Sequence, residues 1–388
     1  MGCVTCDAVA ILGQVTYIEG MNDDLTFDPR GPVLLVGGYG TVGAELARLA
    51  APHWPLLLAG RTVERGQRLA QETGARLVRW DLGDPKPFRE AVRAVVTVVN
   101  DPDDRVLRAA VRGQVPYVDV ARWTARMQRA ATVAALLRPT APVLLSSAWM
   151  GGVASLSAAA LAEDLGGADT VEVAIRWDLK DRAGADSVEF MDRFGLDFEV
   201  VQGGRRHTIM PLSDTRTVRI GAVPTKVTRF DTPEQFTLPL TLGTTTATTR
   251  IGFSSASSTS ALLVAKRLGF FRWGRGERFT PARRALLYAP GEGGTAQLRV
   301  DVSHRGRTLT ATVTDPAGQA HLTALGGLLA LQRVLGADGA PAPTGVVFPE
   351  QTPIPTKVAE QFATYGVTMD TTSARAADEA LHTAGRAA

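Results

Sequence analysis

Between Pro32 and Leu145, short apolar runs alternate with stretches whose apolar residues recur at helical spacing. Val33–Val36 is the sharpest of these runs, aliphatic throughout, the pattern of a strand covered on both faces. Further strand-length runs stand at Leu56–Ala59, Arg76–Trp80, Val95–Val99, Pro116–Val120 and Pro142–Leu145. The segments between them predict helices over Thr41–Ala51, from Thr62 to Thr73 with Gly74 as the stop, and over Pro87–Arg93, Asp103–Arg112 and Arg122–Leu137. Asn100, Asp101 and Pro102 end one strand and cap the helix after it. Six strands alternating with helices predict an α/β unit with a doubly wound parallel sheet, whose ligands lie at the strands' carboxyl ends.

After Ser146 the period changes. A small-residue turn leads into a helix over Ala154–Leu165, and then Val171–Trp177, Thr217–Ile220, Gln297–Ser303 and Thr308–Thr314 alternate with period two. These predict a second α+β domain with a mainly antiparallel sheet and a helix near Ser257–Leu268. A late helix, Gln319–Leu335, and the run Val346–Phe348 are expected to return to the first domain. The division that follows is a tail over 1–31, a nucleotide-binding domain over 32–150, an α+β substrate and dimerisation domain over 151–318, and a returning C-terminal segment over 319–388 with a frayed end. The basic-aromatic run Lys266–Arg275 fits either a membrane-surface segment or a helix end with a packed loop.

Chemistry enters directly after the first strand. Gly38, Gly40 and Gly43 form G-x-G-x-x-G between Val33–Val36 and a helix whose face is small and apolar. Strand, glycine turn and helix in this order are what a dinucleotide pyrophosphate requires: a tight turn, close backbone approach, and close helix packing. The helix N-terminus adds unpaired N–H groups and the positive end of its dipole. Gly38, Tyr39, Gly40, Thr41, Val42 and Gly43 are therefore the expected cofactor loop of a Rossmann domain. An NAD-preferring site places an acid at the end of the second strand, but Leu56–Thr62 contains none. Arg61 and Thr62 stand there instead, suited to pair with a 2′-phosphate, with Arg65 one turn on; the expected cofactor is NADP(H). The alternative for Arg61 is a solvated helix cap. Asp81, after the third strand, is placed for the adenine, and Asn100, after the fourth, for the nicotinamide ribose. Both types are also common in turns.

Hydride transfer needs an acid or a polarising group beside the acceptor carbon. Tyr117 and Asp119 alternate on the fifth strand and share a direction, with Asp119 nearer its carboxyl end. Asp119 can donate a proton or hold an iminium, or it can cap the helix near Arg122. Trp149 is placed either to stack on a ligand or to pack at the domain junction.

GGYGTVG from Gly37, LAGRT from Leu58, VVND from Val98, PYVDVA from Pro116 and SSAWMGGVASL from Ser146 stand here in order, followed by GQAHLTALGGLLALQRVL and GVVFPEQ. In these segments, over residues 32–370, the chain resembles the saccharopine dehydrogenase-like family of NAD(P)-dependent oxidoreductases. It departs from many members at Ala109-Ala110-Val111, where they carry a cysteine. The resemblance implies a Rossmann domain joined to an α+β domain that commonly forms a homodimer interface. It also implies a reductase of a C=N, C=O or C=C bond in a small-molecule or biosynthetic intermediate. Saccharopine has three carboxylates and calls for several converging arginines; Arg176, Arg182, Arg193, Arg205 and Arg206, with Lys180 and His207, are the candidates. The Thr-, Ser- and Leu-rich stretch from Phe236 to Leu263 suits a less charged pocket, so the expected substrate is not saccharopine. The rival reading is a non-catalytic NADP-binding sensor or scaffold.

Composition narrows the field further. Lys plus Arg number 42 against 39 acids, too even and too dispersed a balance for a nucleic-acid-binding surface. Cys3 and Cys6 form a lone C-x-x-C with no second pair to complete a zinc site and no thioredoxin-like context. The five histidines are scattered, so no metal site is expected, and there is no G-x-S-x-G elbow or Walker lysine. No secretory signal pattern and no membrane-length apolar run occur, and the expected location is the cytoplasm. Met21, ahead of NDDLTFDPRG, is a candidate natural start.

Overall fold

The computed structural model describes residues 23–181, 192–273, 291, 293–351 and 357–373. Cys3, Cys6, Met21, Arg182, Arg275 and the C-terminal dozen lie outside the described residues.

The first half begins with β1 (Asp24–Phe27), β2 (Val33–Val36), α1 (Thr41–Ala50), β3 (Leu56–Gly60), α2 (Gln67–Thr73) and β4 (Arg76–Arg79). It continues with β5 (Arg89–Val92), β6 (Ala94–Thr97), α3 (Arg105–Arg112), β7 (Tyr117–Asp119), α4 (Thr124–Leu137) and β8 (Val143–Leu145). The second half opens with α5 (Val153–Leu165), β9 (Thr170–Trp177), β10 (Phe198–Gln202), β11 (Arg205–Ile209), β12 (Arg216–Ile220) and β13 (Val223–Arg229). Then come α6 (Glu234–Thr241), β14 (Thr246–Phe253), α7 (Ala256–Arg267), α8 (Phe270–Trp273), β15 (Ala296–His304) and β16 (Arg307–Asp315). The chain closes with α9 (Gln319–Val334), β17 (Val346–Val347), α10 (Val358–Thr364) and β18 (Thr368–Ser373).

The first sheet has seven strands in the order β17-β8-β7-β6-β2-β3-β4, every pair parallel. β2 is central, with Val33 opposite Leu56 on one side and Ala94 on the other. That explains its lack of polar alternation: all four residues are buried because both faces carry helices. This is the expected doubly wound Rossmann sheet, with β17 as a seventh strand supplied from the C-terminal segment.

One predicted helix is absent. Residues 87–93 were expected to be helical, but Arg89–Val92 is β5, paired in parallel with β1. The pairing turns Val92 and Leu25 inward, and Phe88 stacks on Trp80 with ring centroids 4.1 Å apart. Tertiary pairing here outweighs the Pro87 helix-start signal. A buried ion pair fixes β1 to the body: Arg105 grips both Asp23 oxygens and donates to the Lys86 carbonyl at 2.7 Å. The helix expected from Arg122 starts two residues later, at Thr124.

The second sheet also has seven strands, in the order β12-β13-β14-β9-β15-β16-β18; only β14–β9 is parallel. Val171, Val173 and Ile175 face a core shared with α5, while Glu172, Ala174 and Arg176 take the opposite face. The basic-aromatic stretch folds as the packed alternative predicts: Phe271 is buried against Phe194, with centroids 5.8 Å apart.

α9 joins the two halves. Leu322, Leu325 and Leu329 enter the second core, while Ala324, Leu328 and Leu331 pack with α1 and β2. The middle of α9, residues 324–331, is apolar all round and buried all round, while polar residues stand only near its ends. Its glycines allow the closest contact: a Cβ on Gly326 would lie 2.4 Å from the Gly151 carbonyl oxygen. Among the described residues, no helix is long and apolar enough to cross a membrane.

Candidate active site

The glycine loop has the geometry its spacing predicts. Gly37 adopts φ +84°, and Gly40 N–H closes the turn on the Gly37 carbonyl at 2.9 Å. A Cβ on Gly43 would lie 2.2 Å from the Gly37 oxygen, so only glycine lets α1 seat this close to the loop. The α1 N-cap is Gly40, which offers no side-chain cap, and the first turn holds no acid. The orphan N–H groups of that turn face a cleft of about 520 Å³, walled by Tyr39, Gly40, Thr41, Ala44, Glu45 and Arg48 from the loop and α1 and by Asp181, Gly293, Ala317 and Ala320. Val42 lies in the same turn, half-buried.

Tyr39 links this loop to the end of β3. A Cβ on Gly60 would meet the Tyr39 hydroxyl at 2.4 Å, and one on Gly66 would meet its ring at 2.8 Å. The ring therefore lies on two glycines that bracket Arg61 and Thr62, both of them exposed. Burial raises the Tyr39 pKa above 10.0, against the lowering effect of the Thr62 backbone. Asp81 and Asn100 stay in separate turns. The Asp81 carboxylate accepts from Gly83 N–H at 3.1 Å, as an Asx turn does, and Asn100 is half-buried beyond β6.

Further along the same sheet edge lies a cavity of about 150 Å³. Val120–Trp123 after β7 and Ser147–Gly151 after β8 form its floor. Trp177 and Pro233 close it from the second sheet, and Gln319 and Thr323 from α9. Three indoles, Trp123, Trp149 and Trp177, therefore share one small space. Trp149 also meets Trp177 and Phe230 edge-on, at 6.1 and 6.3 Å, so the same residue serves as junction core and as cavity wall.

Beneath the floor is a buried charge network. Tyr117 and Asp119, the expected catalytic pair, are both 0% exposed. The Asp119 carboxylate accepts from Tyr117 Oη (2.7 Å), Arg122 Nε (2.6 Å), Ser147 Oγ (2.7 Å) and Ala121 N–H (3.1 Å). Arg122 in turn pairs with Asp104 and, at 3.4 Å, with Asp101. Burial opposes the Arg122 charge, but Asp119 and the groups around it hold its pKa above the usual range. Burial also drives the Tyr117 hydroxyl well above its ordinary value, with Asp119 adding to the effect. Burial pushes the Asp101 carboxyl upward, in spite of Arg122 beside it. Asp101 is the real cap of α3: its oxygens accept from Arg105 N–H at 2.8 Å and Val106 N–H at 3.0 Å.

The second-domain cations flagged in the sequence do not converge on this cavity. Lys180, Arg205, Arg206 and His207 are exposed, and Arg176 donates to Gln297 at 2.9 Å. Arg193 pairs with Asp231 and lies 5.4 Å from the Trp123 ring centre. No residue between Phe236 and Leu263 is among the walls. Arg122, Trp123, Trp177, Pro233, Gln319 and Thr323 had no sequence signal of their own. The position of Arg122-Trp123 just after PYVDVA, and of Gln319 and Thr323 inside GQAHLTALGG, pointed their way.

No family model matches the chain, and no curated protein matches it in sequence. Among solved structures, its fold is similar to apo histidine-tagged saccharopine dehydrogenase (L-Glu forming) from Saccharomyces cerevisiae, with a TM-score of 0.63 and 12% identity over 88% of this chain and 99% of that one. A probable dehydrogenase from Thermotoga maritima aligns over 81% of this chain and 91% of its own, with a TM-score of 0.39 and 11% identity. DAP dehydrogenase from C. glutamicum, in complex with DAP, aligns over 83% and 93%, with a TM-score of 0.37 and 12% identity. What the chain shares with the yeast enzyme is its fold: a Rossmann sheet joined to a mixed second sheet.

Proposed function

We propose that the protein is an NADPH-dependent reductase acting on a C=N, C=O or C=C bond of a small-molecule or biosynthetic intermediate. The observation that carries this reading is the pairing, along one sheet edge, of an uncapped α1 N-terminus behind Gly38–Gly43 with a separate tryptophan-walled cavity beyond β7 and β8. The cradle fits a dinucleotide, because a side chain at Gly38 or Gly43 would occupy the space the loop backbone needs. Thr41, Val42 and Gly43 would hold the pyrophosphate by their backbone N–H groups, and Arg61 with Thr62 would hold the 2′-phosphate. Reduced nicotinamide would supply the hydride.

The chain's own part is to orient the acceptor and polarise it. Asp119 receives four donors and has Arg122 against it, so in this reading it positions Arg122 and Ser147 under the cavity rather than acting as a free acid. Arg122 is the group placed to stabilise negative charge developing on the acceptor. Arg122 is the only arginine on the described cavity wall, and three aspartates already engage it. That favours an acceptor of low negative charge over a tricarboxylate such as saccharopine. A homodimer belongs to the same proposal, through the family resemblance, and analytical ultracentrifugation checks it.

The test is loss of the reduced-nicotinamide absorbance when purified protein meets NADPH and a panel of neutral imines, ketones and enones. Turnover with NADPH well above that with NADH is the expected result. Tight NADPH binding with no oxidation across the panel would replace the reductase with a non-catalytic NADP-binding protein.

A further inference from the structure

The second sheet holds a cluster of guanidinium groups that the proposed reductase does not use. Arg216, Arg229 and Arg250 lie on its outer face with Glu172, as the pairing of Arg229 with Arg250 and of Arg216 with Val227 requires. Arg229 and Arg250 are only 3% and 4% exposed. Arg250 grips Asp214 and stands 3.8 Å from Glu172, while Arg216 pairs with Glu172 at 2.8 Å. Three cations thus meet two carboxylates. The surplus falls on Arg229, whose nearest acid oxygen, on Asp214, is 4.0 Å away. Among the described residues, its Nε and Nη2 have no hydrogen-bond partner, nor does Nε of Arg216. Burial, followed by Arg250, lowers the Arg229 pKa. A buried guanidinium with two nitrogens unsatisfied is costly unless an anion answers it.

The segment that carries Asp214 is strained. Leu212 and Asp214 adopt φ +58° and +46°, a region that a buried branched residue such as Leu212 rarely enters. Hydrogen bonds hold it there: Leu212 N–H donates to the Arg229 carbonyl at 2.8 Å, and Arg229 N–H to the Ser213 carbonyl at 2.9 Å. The Asp214 side chain is nevertheless 56% exposed, so solvent and a soluble ligand reach it.

We propose that Arg229, Arg250 and Arg216 form a binding site for a small oxyanion, the phosphate group of a soluble ligand, and that Asp214 occupies the place of that group until the ligand displaces it. A tetrahedral oxyanion has enough acceptor oxygens for the unpaired N–H groups of Arg229 as well as for Arg250. A second copy of the chain fits less well, because a folded surface cannot reach nitrogens that are already covered. The site is tied to the cavity through one stretch of backbone. Arg229 leads directly into Phe230–Pro233, where Asp231 accepts from Thr124 Oγ1 at 2.6 Å and Pro233 walls the cavity. The inference rests on this geometry and not on the cofactor reading.

Isothermal titration of the full chain with inorganic phosphate, with NADPH present throughout to fill the α1 cradle and ionic strength held constant with chloride, tests it. Saturable one-to-one binding is expected. Asp214→Ala removes the internal competitor and should tighten binding by about ten-fold, the value of one charge-assisted hydrogen bond. Arg229→Met should abolish binding. Because Asp214→Ala predicts a gain, misfolding cannot imitate it. Glycerol 3-phosphate binding at least as tightly as phosphate would point to a monoester ligand, and weaker binding to free phosphate; both support the site. No saturable heat in wild type and Asp214→Ala, equal affinity in the two, or unchanged binding in Arg229→Met would each overturn it. So would loss of a dimer in Arg229→Met with no phosphate heat in wild type, which would assign the arginines to a second copy.

Discussion

The two ends of the Rossmann sheet edge are built from opposite materials. At the β2–β3 end, the surface is backbone: glycines, an uncapped helix terminus, and Arg61 standing in solvent. At the β7–β8 end it is side chain: indoles from three segments over a buried network of Asp101, Asp104, Asp119, Tyr117 and Arg122. At the first end an anion would meet helix and backbone dipoles that need no counter-charge. The second has to neutralise every charge it buries, and Arg122 does most of that work. Failure should therefore be steric at one end and electrostatic at the other.

Gly43→Val gives the largest effect expected. Even its first added carbon would lie 2.2 Å from a backbone oxygen, so α1 would have to leave the loop. NADPH binding by fluorescence titration should vanish, with a destabilisation of roughly 3 kcal/mol or more, as for severe overpacking. NADPH affinity within two-fold of wild type would show that the loop is not the cofactor cradle. Next is Arg122→Met, which leaves three buried aspartates facing one another around a single half-exposed arginine, Arg129. Breaking a buried pair in this way costs about 3–5 kcal/mol, to be read from urea unfolding. At temperatures where the variant stays folded, NADPH affinity should hold while turnover falls. Equal loss of both would erase the distinction between the two ends.

The same contrast explains what the sequence disclosed. Strand, turn and helix over Val33–Ala50 are local, and each glycine answers a constraint within a few residues of itself, so the loop was legible in full. The position of Arg61 just past β3 was legible because the end of β3 is fixed once β2 is placed. Tyr39 was placed in the loop, but its packing on Gly60 and Gly66 depends on a contact some twenty residues away. The cavity was far less legible. Its walls come from β7, β8, β9, the residue before α6, and α9, and nothing in their spacing says that Trp123, Trp177 and Gln319 meet. Asp119 was identifiable as a residue at a strand end, but Arg122, Ser147 and Tyr117, which occupy its oxygens, became visible as a set only in three dimensions. The β5 misreading has the same root: a four-residue segment takes its state from its partner, here β1, and not from its own propensity.

A smaller effect tests whether the backbone end also discriminates. Arg61→Ala should weaken NADPH by about ten- to one-hundred-fold, a charge-assisted pair of roughly 1.5–3 kcal/mol, and leave NADH within about two-fold. Stability should be unchanged, because Arg61 is exposed and makes no ion pair among the described residues. Equal losses for the two cofactors would move the 2′-phosphate contact elsewhere and return Arg61 to the role of a solvated cap.

The smallest effect concerns Glu234, an acid in the first turn of α6, beside the cavity, with no cation against it among the described residues. It is 1% exposed; its Oε2 accepts from Trp149 N–H at 3.1 Å and its Oε1 from Thr249 Oγ1 at 3.0 Å. Burial raises its pKa above 4.5, and the hydrogen bonds only partly oppose this. The folded chain therefore binds this proton more tightly than the unfolded chain. The resulting stability is present in full below pH 4.5 and is lost as pH rises through the folded value, at about 1.4 kcal/mol per unit of separation. Arg122 behaves differently: the groups around it hold its own pKa above the usual range, so the guanidinium keeps its charge well into the alkaline range. Glu234→Gln cannot ionise and keeps a carbonyl for Trp149 N–H. Urea midpoints measured from pH 4 upward should therefore fall more steeply for wild type than for the variant, with the gap opening just above the ordinary carboxylate range. Parallel curves would mean that Glu234 ionises in the folded state at no cost, and that uncompensated charge is tolerated beside the cavity after all.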